Sequence, residues 1–241
     1  MGKHLIRYAD NFYDNIDYLR KLALGAEFRP CRTYQAGFFG TATSLAFMPC
    51  DIERRIKAKF GFKWVHMLPA GFGTGIGNAC FYHCLGEDNS ISAEQFCVHI
   101  DQSRGDYFAV VVYMTPEQPV KSCGTGIYRH KDSKKWYLNE GEDFIHASDE
   151  ENIDKWDRIG FADYKYNRAV LYPGHWFHSA ENNFGTCLED ARLYQALFFQ
   201  AGPNIFDGVE RQQDIALAEG SATIFPKQIM DSNLTRTRKR V

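Results

Sequence analysis

Two residues in one short apolar stretch have the types and spacing to bind a metal ion. Residues 96–101 read Phe-Cys-Val-His-Ile-Asp. In an extended strand the side chains alternate between faces, so His99 and Asp101 would project together, about 7 Å apart at the backbone. An imidazole and a carboxylate are two of the three ligands in the two-His-one-carboxylate site that binds non-haem ferrous iron. His-x-Asp alone is a weak signal, so a third ligand is required.

A second stretch, residues 172–179, carries two candidate histidines. His175 lies in Pro-Gly-His-Trp, which is typical of a turn, whereas His178 opens the strand that follows. We therefore favour His178 over His175 as the third ligand. Arg192 then begins another apolar strand, where a buried guanidinium without an anion would be costly. An anionic ligand is one explanation, and a salt bridge to Glu189 or Asp190 is the other.

Many short strands are predicted around these residues. They are expected at 63–68, 78–85, 95–100, 107–114, 124–128, 135–138, 168–172, 176–180 and 193–200. Turn signals between such strands predict an all-β core with flanking helices, arranged as a double-stranded β-helix (a jelly roll or cupin-like sandwich). Supporting helices are predicted at 10–26, capped by Asp10 or Asn11, and at 51–60, ended by Gly61. Two shorter helices are predicted at 149–159 and 208–218.

Composition and charge exclude several classes of protein. The 241 residues are 44% hydrophobic and 15% aromatic, enough for a sizeable core, and the net charge is −2. No global field therefore attracts nucleic acid or an anionic membrane, and no apolar run is long enough to span a bilayer. Seven cysteines without a C-x-x-C pair indicate reduced thiols and a cytoplasmic protein. The basic tail at 236–240 is expected to be solvated.

We expect one domain over residues 1–241. Within it, 1–62 would form supporting helices and an irregular segment, 63–202 the jelly-roll core, and 203–241 a C-terminal extension. There are no internal repeats and no low-complexity linker.

Taken in order, these residues resemble the Fe(II)/2-oxoglutarate-dependent dioxygenase superfamily. His178 follows Asp101 by seventy-seven residues, and Arg192 follows His178 by fourteen. The resemblance covers about 78–200 and is closest to the prolyl-hydroxylase-like and phytanoyl-CoA-hydroxylase-like branch. Asp106-Tyr107, the Met-Thr-Pro at 114–116 and the series at 124–130 are similar to a small bacterial and phage subgroup.

The resemblance implies three cofactors or cosubstrates: Fe(II), 2-oxoglutarate and dioxygen. His99, Asp101 and His178 would then be the catalytic metal ligands. Arg192 would bind the remote carboxylate of 2-oxoglutarate through its planar fork. Four further residues are candidates to assist in 2-oxoglutarate binding: Ser179, Tyr82, Tyr113 and Tyr172.

The implied reaction is hydroxylation of an aliphatic carbon in a small polar metabolite, an amino acid or a peptidyl residue. Desaturation and ring formation remain open, whereas Asp101 argues against halogenation because halogenases of this family lack the carboxylate. Arg129, His130 and Lys131 form a cationic cluster that would bind a substrate carboxylate or phosphate, or else lie in a solvated loop. Two other classes remain: a cupin-like metal-binding isomerase or sensor without 2-oxoglutarate turnover, and a non-catalytic binding module.

Overall fold

The structure is a computed structural model that describes residues 5–31, 40–71, 77–86, 97–117, 122–142, 147–150, 152–203 and 205–206. The strands found there are β1 Arg7–Ala9, β2 Phe28–Pro30, β3 Thr41–Thr43, β4 Trp64–Met67, β5 Phe81–Cys84, β6 Tyr107–Tyr113, β7 Gly124–His130, β8 Trp156–Asp163, β9 Ala169–Pro173, β10 His178–Glu181 and β11 Arg192–Gly202. The helices are α1 Ile16–Leu24, α2 Ile52–Phe60 and the short α3 Ala147–Glu150.

The chain divides into two compact units, Met1–Ile205 and Phe206–Val241. All of these strands and helices lie in the first unit. The predicted single domain with its three parts stays a prediction. In the described part of the chain, no helix is both long enough and apolar enough to cross a membrane.

The strands form two antiparallel sheets. The larger has the order β1-β9-β6-β11-β5-β3-β2, with β4 pairing the second half of β11. The smaller has the order β10-β7-β8. The segment around His99 adds to the free edge of β10, because the backbones of His99 and His178 exchange two hydrogen bonds of 3.0 and 2.9 Å.

One face of the larger sheet is sealed by the N-terminal region. The hydroxyl of Tyr13 donates to Gln195 on β11 at 2.7 Å. The ring of Phe62 packs 5.0 Å from Phe108 and 5.9 Å from Phe199. These contacts cover the outer face of the two central strands with aromatic side chains, so this half of the core is closed to solvent.

The other face of the larger sheet faces the smaller sheet. Tyr113 and Thr125 are hydrogen-bonded at 2.7 Å between β6 and β7. The rings of Tyr172 on β9 and His178 on β10 lie 4.4 Å apart. The two inner faces therefore pack against each other, which is consistent with the predicted sandwich.

Space remains between the two sheets. On the inner face Val111 is 8% exposed and Phe198 7%, whereas Val110, Val112 and Leu197 on the outer face are all 0% exposed. Ala109 and Tyr113, which also lie on the inner face, are 0% exposed, so the small accessible surface is confined to part of that face. That part of the inner face borders a small space between the sheets.

The second predicted helix is confirmed. α2 begins after Asp51 and ends at Gly61, whose left-handed φ of 84° suits glycine, and Ile52, Ile56 and Phe60 are buried as expected.

The caps predicted for the first helix are wrong, because α1 begins after Asn15, whose side chain accepts the Tyr18 N–H. The residues before it are held in another conformation by Asn167, whose backbone and side-chain oxygens accept the N–H groups of Phe12 and Tyr13.

The helix predicted at 149–159 is also wrong. The chain forms α3, then a 3₁₀ turn at Ile153–Lys155, and then β8 from Trp156 to Asp163. Trp156, Gly160 and Ala162 are its buried positions, a pattern with even spacing that fits a strand. Pairing with β7 along the whole of β8 outweighs the local helical pattern.

Two predicted strands are reduced to single bridges. In the strand predicted at 135–138, Tyr137 alone pairs, with Trp176. In the described part of 95–100, His99 pairs with His178 alone. The first two residues of that strand, the helix at 208–218 and the tail at 236–240 lie outside the described residues.

Candidate metal centre

Two imidazoles and one carboxylate meet at the edge of the smaller sheet. His99 Nε2 lies 4.0 Å from Asp101 Oδ1, and His178 Nε2 lies 3.5 Å from Asp101 Oδ2. One potential ligand atom from each residue lies within 4.8 Å of the other two. Among the described residues this is the one group of three or more His, Cys, Asp or Glu side chains with such geometry. His175 is not part of it.

Backbone pairing brings these distant residues together. His99 and His178 are direct partners in the antiparallel bridge, so their side chains leave the sheet on the same side. The N–H of Asp101 donates to the carbonyl of Gly174 at 2.7 Å, which ties the carboxylate-bearing residue to the turn before β10. All three side chains are therefore positioned by main-chain hydrogen bonds.

Each histidine ring is oriented by a carbonyl two residues earlier in the chain. His99 Nδ1 lies 3.1 Å from the Cys97 oxygen, and His178 Nδ1 lies 2.8 Å from the Trp176 oxygen. A carbonyl oxygen only accepts, so each Nδ1 carries the hydrogen and each Nε2 presents a lone pair to the centre. Metal-binding histidines are oriented in this way by outer hydrogen bonds.

The electrostatics of the site suit a cation. Although 26% of the His99 side chain is exposed, desolvation of the ring, followed by repulsion from His178, lowers the pKa of His99 to about 4. His99 is therefore neutral at pH 7. Asp101 Oδ2 is buried and has no hydrogen-bond partner among the described residues. Two nitrogen lone pairs and a carboxylate in this arrangement fit a divalent ion such as Fe(II), with positions left for other ligands.

Arg192 is a buried cation at the start of β11. It is 1% exposed. Its Nη2 donates to the Gly124 carbonyl at 2.7 Å and its Nη1 to Asn183 Oδ1 at 3.2 Å, while its Nε has no partner in the described part of the chain. The guanidinium carbon also lies 5.9 Å from the ring centre of Tyr113.

The predicted alternative, a salt bridge from Arg192 to a neighbouring carboxylate, does not form between described residues. Asp190 accepts instead from the backbone N–H groups of Thr186 and Cys187, at 2.7 and 2.8 Å. Glu189 is exposed and forms no ion pair with Arg192. The charge of Arg192 thus meets neutral acceptors alone among the residues that the structure describes.

The three candidate tyrosines share the inner face. Tyr82 stacks on Tyr194 with 5.3 Å between ring centres, and its hydroxyl donates to the Gly77 carbonyl at 2.8 Å. The hydroxyl of Tyr113 is hydrogen-bonded to Thr125, and burial raises the pKa of Tyr113 to about 12. Tyr172 packs against the His178 ring. All three hydroxyls remain protonated at neutral pH.

Ser179 is not brought to Arg192. Its hydroxyl donates to the Ala180 carbonyl at 3.2 Å. As the neighbour of His178 in β10, it lies on the opposite face of that strand. Its assisting role stays a prediction that no contact in the structure supports.

The cationic cluster lies at the end of β7 farther from Arg192, and each member has a partner in the chain. Arg129 pairs with Asp157 at 2.9 Å. The other contacts are His130 Nε2 to Asp149 at 3.1 Å and Lys131 Nζ to the Asp154 carbonyl at 2.8 Å. The structure does not bring these three residues to His99, Asp101 and His178, so their role in substrate binding stays a prediction.

Four groups beside the site were not identified from the sequence. Gly124 and Asn183 supply the acceptors for Arg192. Gly174 anchors the Asp101 backbone, and Tyr107 packs against Gly174. Tyr107 and Tyr113 lie an even number of positions apart in β6, so strand alternation could have placed Tyr107 on the same face as the candidate Tyr113. The Gly124 carbonyl and the Asn183 side chain could not be identified in this way, because no sequence pattern shows that they accept from Arg192.

The sequence of this chain is similar to one family profile and to no curated protein. The profile of the family described as "Family of unknown function (DUF6445)" matches residues 2–192. A comparison with curated proteins finds no significant match.

Several solved structures are similar to parts of this chain. HygX from Streptomyces hygroscopicus, with nickel and 2-oxoglutarate bound, is 11% identical with a TM-score of 0.46, over 81% of this chain and 82% of its own. A Pseudomonas putida prolyl-4-hydroxylase is 13% identical with a TM-score of 0.36, over 82% of this chain and 92% of its own. The Fe(II)/2-oxoglutarate-dependent dioxygenase TqaL is 8% identical with a TM-score of 0.33, over 82% of each chain.

None of these TM-scores reaches 0.5, so these similarities carry no functional conclusion. The profile match is of a different kind, because it spans well over half of the sequence in one continuous stretch. By that match the chain belongs to DUF6445, a family of unknown function.

Proposed function

We propose that this protein is a non-haem Fe(II)/2-oxoglutarate-dependent oxygenase that hydroxylates an aliphatic carbon. His99, Asp101 and His178 would hold the ferrous ion, and Arg192 would bind the remote carboxylate of 2-oxoglutarate. The observation that carries the proposal is the convergence of these three side chains within 4.8 Å, with both Nε2 atoms turned toward the carboxylate. That donor set is typical of ferrous oxygenases.

We also propose that the two sheets form a double-stranded β-helix. For this comparison the strands are counted along the chain from β5 as the first, with residues 97–101 counted as the second. The larger sheet then places β9, β6, β11 and β5 side by side, which are the sixth, third, eighth and first strands. The smaller sheet places 97–101, β10, β7 and β8 side by side, which are the second, seventh, fourth and fifth. This nested order is expected when two Greek keys are rolled into a jelly roll. It supports a binding site between the sheets.

Arg192 supports 2-oxoglutarate as the second ligand. Its guanidinium is buried without a carboxylate partner among the described residues, and its Nε lacks an acceptor. A bound carboxylate would satisfy both the charge and the hydrogen bond. The dicarboxylate would lie along the inner face at Ala196 and Val111, two neighbouring residues with short side chains.

The proposed reaction needs no reductant besides 2-oxoglutarate, which is oxidatively decarboxylated to succinate. A ferrous ion held by His99, Asp101 and His178, together with 2-oxoglutarate, would supply the activation of dioxygen. One oxygen atom would end in the substrate as a hydroxyl group, and the other would end in succinate with release of carbon dioxide. The chain itself binds the two ligands, orients them through the hydrogen bonds described, and limits water with its aromatic inner face. We propose a small polar metabolite, an amino acid or a peptidyl residue as substrate.

The test is an anaerobic titration with ferrous iron and 2-oxoglutarate, followed by visible absorption. We expect the charge-transfer band of an iron-chelated 2-oxoacid in the native protein. Asp101→Ala and His178→Ala should abolish the band. His175→Gln is the matched control, because His175 is a buried histidine three residues from His178 that is not part of the group, and it should keep the band.

Two results would contradict the proposal. Iron binding without the band would favour a cupin-like metal protein that does not use 2-oxoglutarate. A band that survives in Asp101→Ala would remove that residue from the metal centre. Once the band is seen, succinate formation in air across a panel of metabolites and peptides would identify the substrate.

A further inference from the structure

Tyr107 presents an unpartnered hydroxyl beside the metal centre. The residue begins β6 and is 3% exposed. Its phenolic oxygen is buried and has no hydrogen-bond partner among the residues that the structure describes. Strand alternation places Tyr107 on the inner face with Ala109, and its ring lies 6.0 Å from that of Phe198. Buried polar groups without partners are costly and therefore uncommon.

Gly174 fixes Tyr107 next to Asp101. A Cβ at Gly174 would lie 2.3 Å from Cδ1 of the Tyr107 ring and 3.5 Å from the Asp101 Cβ, so the two side chains flank one backbone position. The Gly174 N–H donates to the Tyr107 carbonyl at 2.9 Å, and the Gly174 carbonyl accepts from the Asp101 N–H at 2.7 Å. The phenol and the carboxylate are thus attached to the same turn by two backbone hydrogen bonds.

The two side chains are chemically complementary. Asp101 Oδ2 is a buried acceptor without a hydrogen-bond partner, and the Tyr107 hydroxyl is a buried donor without one. A metal ion that takes one oxygen of a carboxylate leaves the other to be satisfied by an outer donor. Such outer donors orient the ligand and tune the affinity for the metal.

We propose that Tyr107 is a positioning residue for Asp101. When a divalent ion is bound, the Tyr107 hydroxyl donates to the carboxylate oxygen that the metal does not take, directly or through one water molecule. This hydrogen bond keeps Asp101 monodentate and so leaves a coordination position free for the other ligands. The inference rests on the proposed function in one respect, namely that a divalent ion binds at His99, Asp101 and His178.

The test compares Tyr107→Phe with Tyr128→Phe, using Co(II) alone as the probe. Tyr128 is the matched control because its hydroxyl is also hydrogen-bonded to a carboxylate, that of Glu181, away from the metal centre. Three quantities are measured for each variant: the thermal midpoint of the metal-free protein, the Co(II) dissociation constant by calorimetry, and the visible Co(II) absorption spectrum.

We expect the two substitutions to have opposite effects on metal-free stability and on Co(II) binding. Tyr107→Phe should keep the metal-free thermal midpoint of the wild type or raise it, because the hydroxyl it removes has no partner. Its Co(II) dissociation constant should rise about 10- to 100-fold, and the Co(II) spectrum should change as the carboxylate binds through both oxygens. Tyr128→Phe should lower the metal-free midpoint and leave the Co(II) constant and spectrum unchanged.

Two outcomes would overturn the inference. The inference would be overturned if Tyr107→Phe kept the Co(II) affinity and the Co(II) spectrum of the wild type. If turnover alone then fell, the Tyr107 hydroxyl would act on the substrate and not on Asp101. A fall in the metal-free midpoint as large as that of Tyr128→Phe would assign Tyr107 a structural role. Failure of the wild type itself to bind Co(II) would be a different result, since it would overturn the proposed metal centre as well.

Discussion

Individual side chains at the candidate site are placed at a cost to stability. Asp101 Oδ2 and Arg192 Nε are buried without hydrogen-bond partners among the described residues. Each unsatisfied buried polar group typically costs about 1–3 kcal/mol, and more when it is charged. A protein that keeps such groups at one site has a use for them there, because well-packed apolar residues would be more stable.

Arg192→Met should separate ligand binding from folding. We expect the dissociation constant for 2-oxoglutarate, measured by calorimetry with the metal saturated, to rise roughly 100-fold, or about 2.8 kcal/mol. The Fe(II) constant should change less than about threefold, because Arg192 contacts none of the three metal-binding side chains. Equal losses in both constants would instead indicate general damage to the fold. The 2-oxoglutarate dissociation constant of Arg192→Lys should lie between those of the native protein and Arg192→Met, because lysine keeps the positive charge but lacks the planar guanidinium fork.

Asp10 should contribute stability that depends on acid pH. Hydrogen bonding to Arg168, and then to Lys165, lowers the pKa of Asp10 from 3.8 to about 2. Because the pKa is lower in the folded state, the contribution is present above about pH 4 and is lost as the pH falls toward 2. Its size should be about 1 kcal/mol, since the carboxylate is partly exposed and solvent screens both pairs.

The check is urea unfolding of the native protein and Asp10→Asn between about pH 5 and pH 2. The two free energies of unfolding should differ at the upper end and converge at the lower end. A constant difference across the range would contradict the assignment, because it would show that the side chain acts through packing and not through its charge.

Among secondary-structure elements, the sequence predicted β4 to β7, β9 to β11 and the helix α2, but it predicted neither the three short strands β1 to β3 nor β8. α2 has Asp51 before it, Gly61 after it and a buried stripe between them. The strand at Trp156–Asp163 was missed because its first residues follow an acidic, helix-like segment and because its pairing with β7 is a tertiary property. The local sequence of a strand does not show which other strand it will pair with.

The same limit applies to the candidate site. Residue types and spacing were enough to select His99, Asp101, His178 and Arg192, and the structure brings the first three together. Sequence did not identify Tyr107, because alternation gives the face of a side chain but not whether its hydroxyl finds an acceptor. That depends on Gly174, which approaches Tyr107 from another strand end.

Gly124 in β7 should be required for both the smaller sheet and the position of Arg192. A Cβ there would lie 2.1 Å from the Ala162 carbonyl oxygen of β8, which is backbone and cannot move aside. Gly124→Ala should lower the free energy of unfolding in urea by about 1–3 kcal/mol. Gly105→Ala is the control, since a Cβ there meets nothing within 4 Å, and its effect should stay within about 0.5 kcal/mol. Equal effects of the two substitutions would contradict this account.

For the whole molecule, ligand binding should strengthen the weakest attachment of the smaller sheet. The segment around His99 is joined to β10 by a single bridge, whereas β7 and β8 pair over seven residue positions. A metal ion held by His99, Asp101 and His178 would add a second link. A divalent ion at 100 times its dissociation constant should stabilise the fold by about 2.7 kcal/mol, and 2-oxoglutarate at 100 times its own constant should add a similar amount.

Hydrogen exchange followed by mass spectrometry checks where that stabilisation appears. Peptides covering 97–101 and 176–181 should exchange more slowly with Fe(II) and 2-oxoglutarate under argon, while peptides from α2 should be unaffected. Slower exchange spread evenly over all peptides would show that the ligands act on global stability alone.

The most direct measurement is a crystal structure of the protein prepared anaerobically with Fe(II) and 2-oxoglutarate, with anomalous diffraction at the iron edge. We expect one anomalous peak, coordinated by His99 Nε2, His178 Nε2 and one oxygen of Asp101, with 2-oxoglutarate chelated to it and its far carboxylate on Arg192. Iron bound elsewhere, or Arg192 paired with a carboxylate of the chain itself, would contradict it.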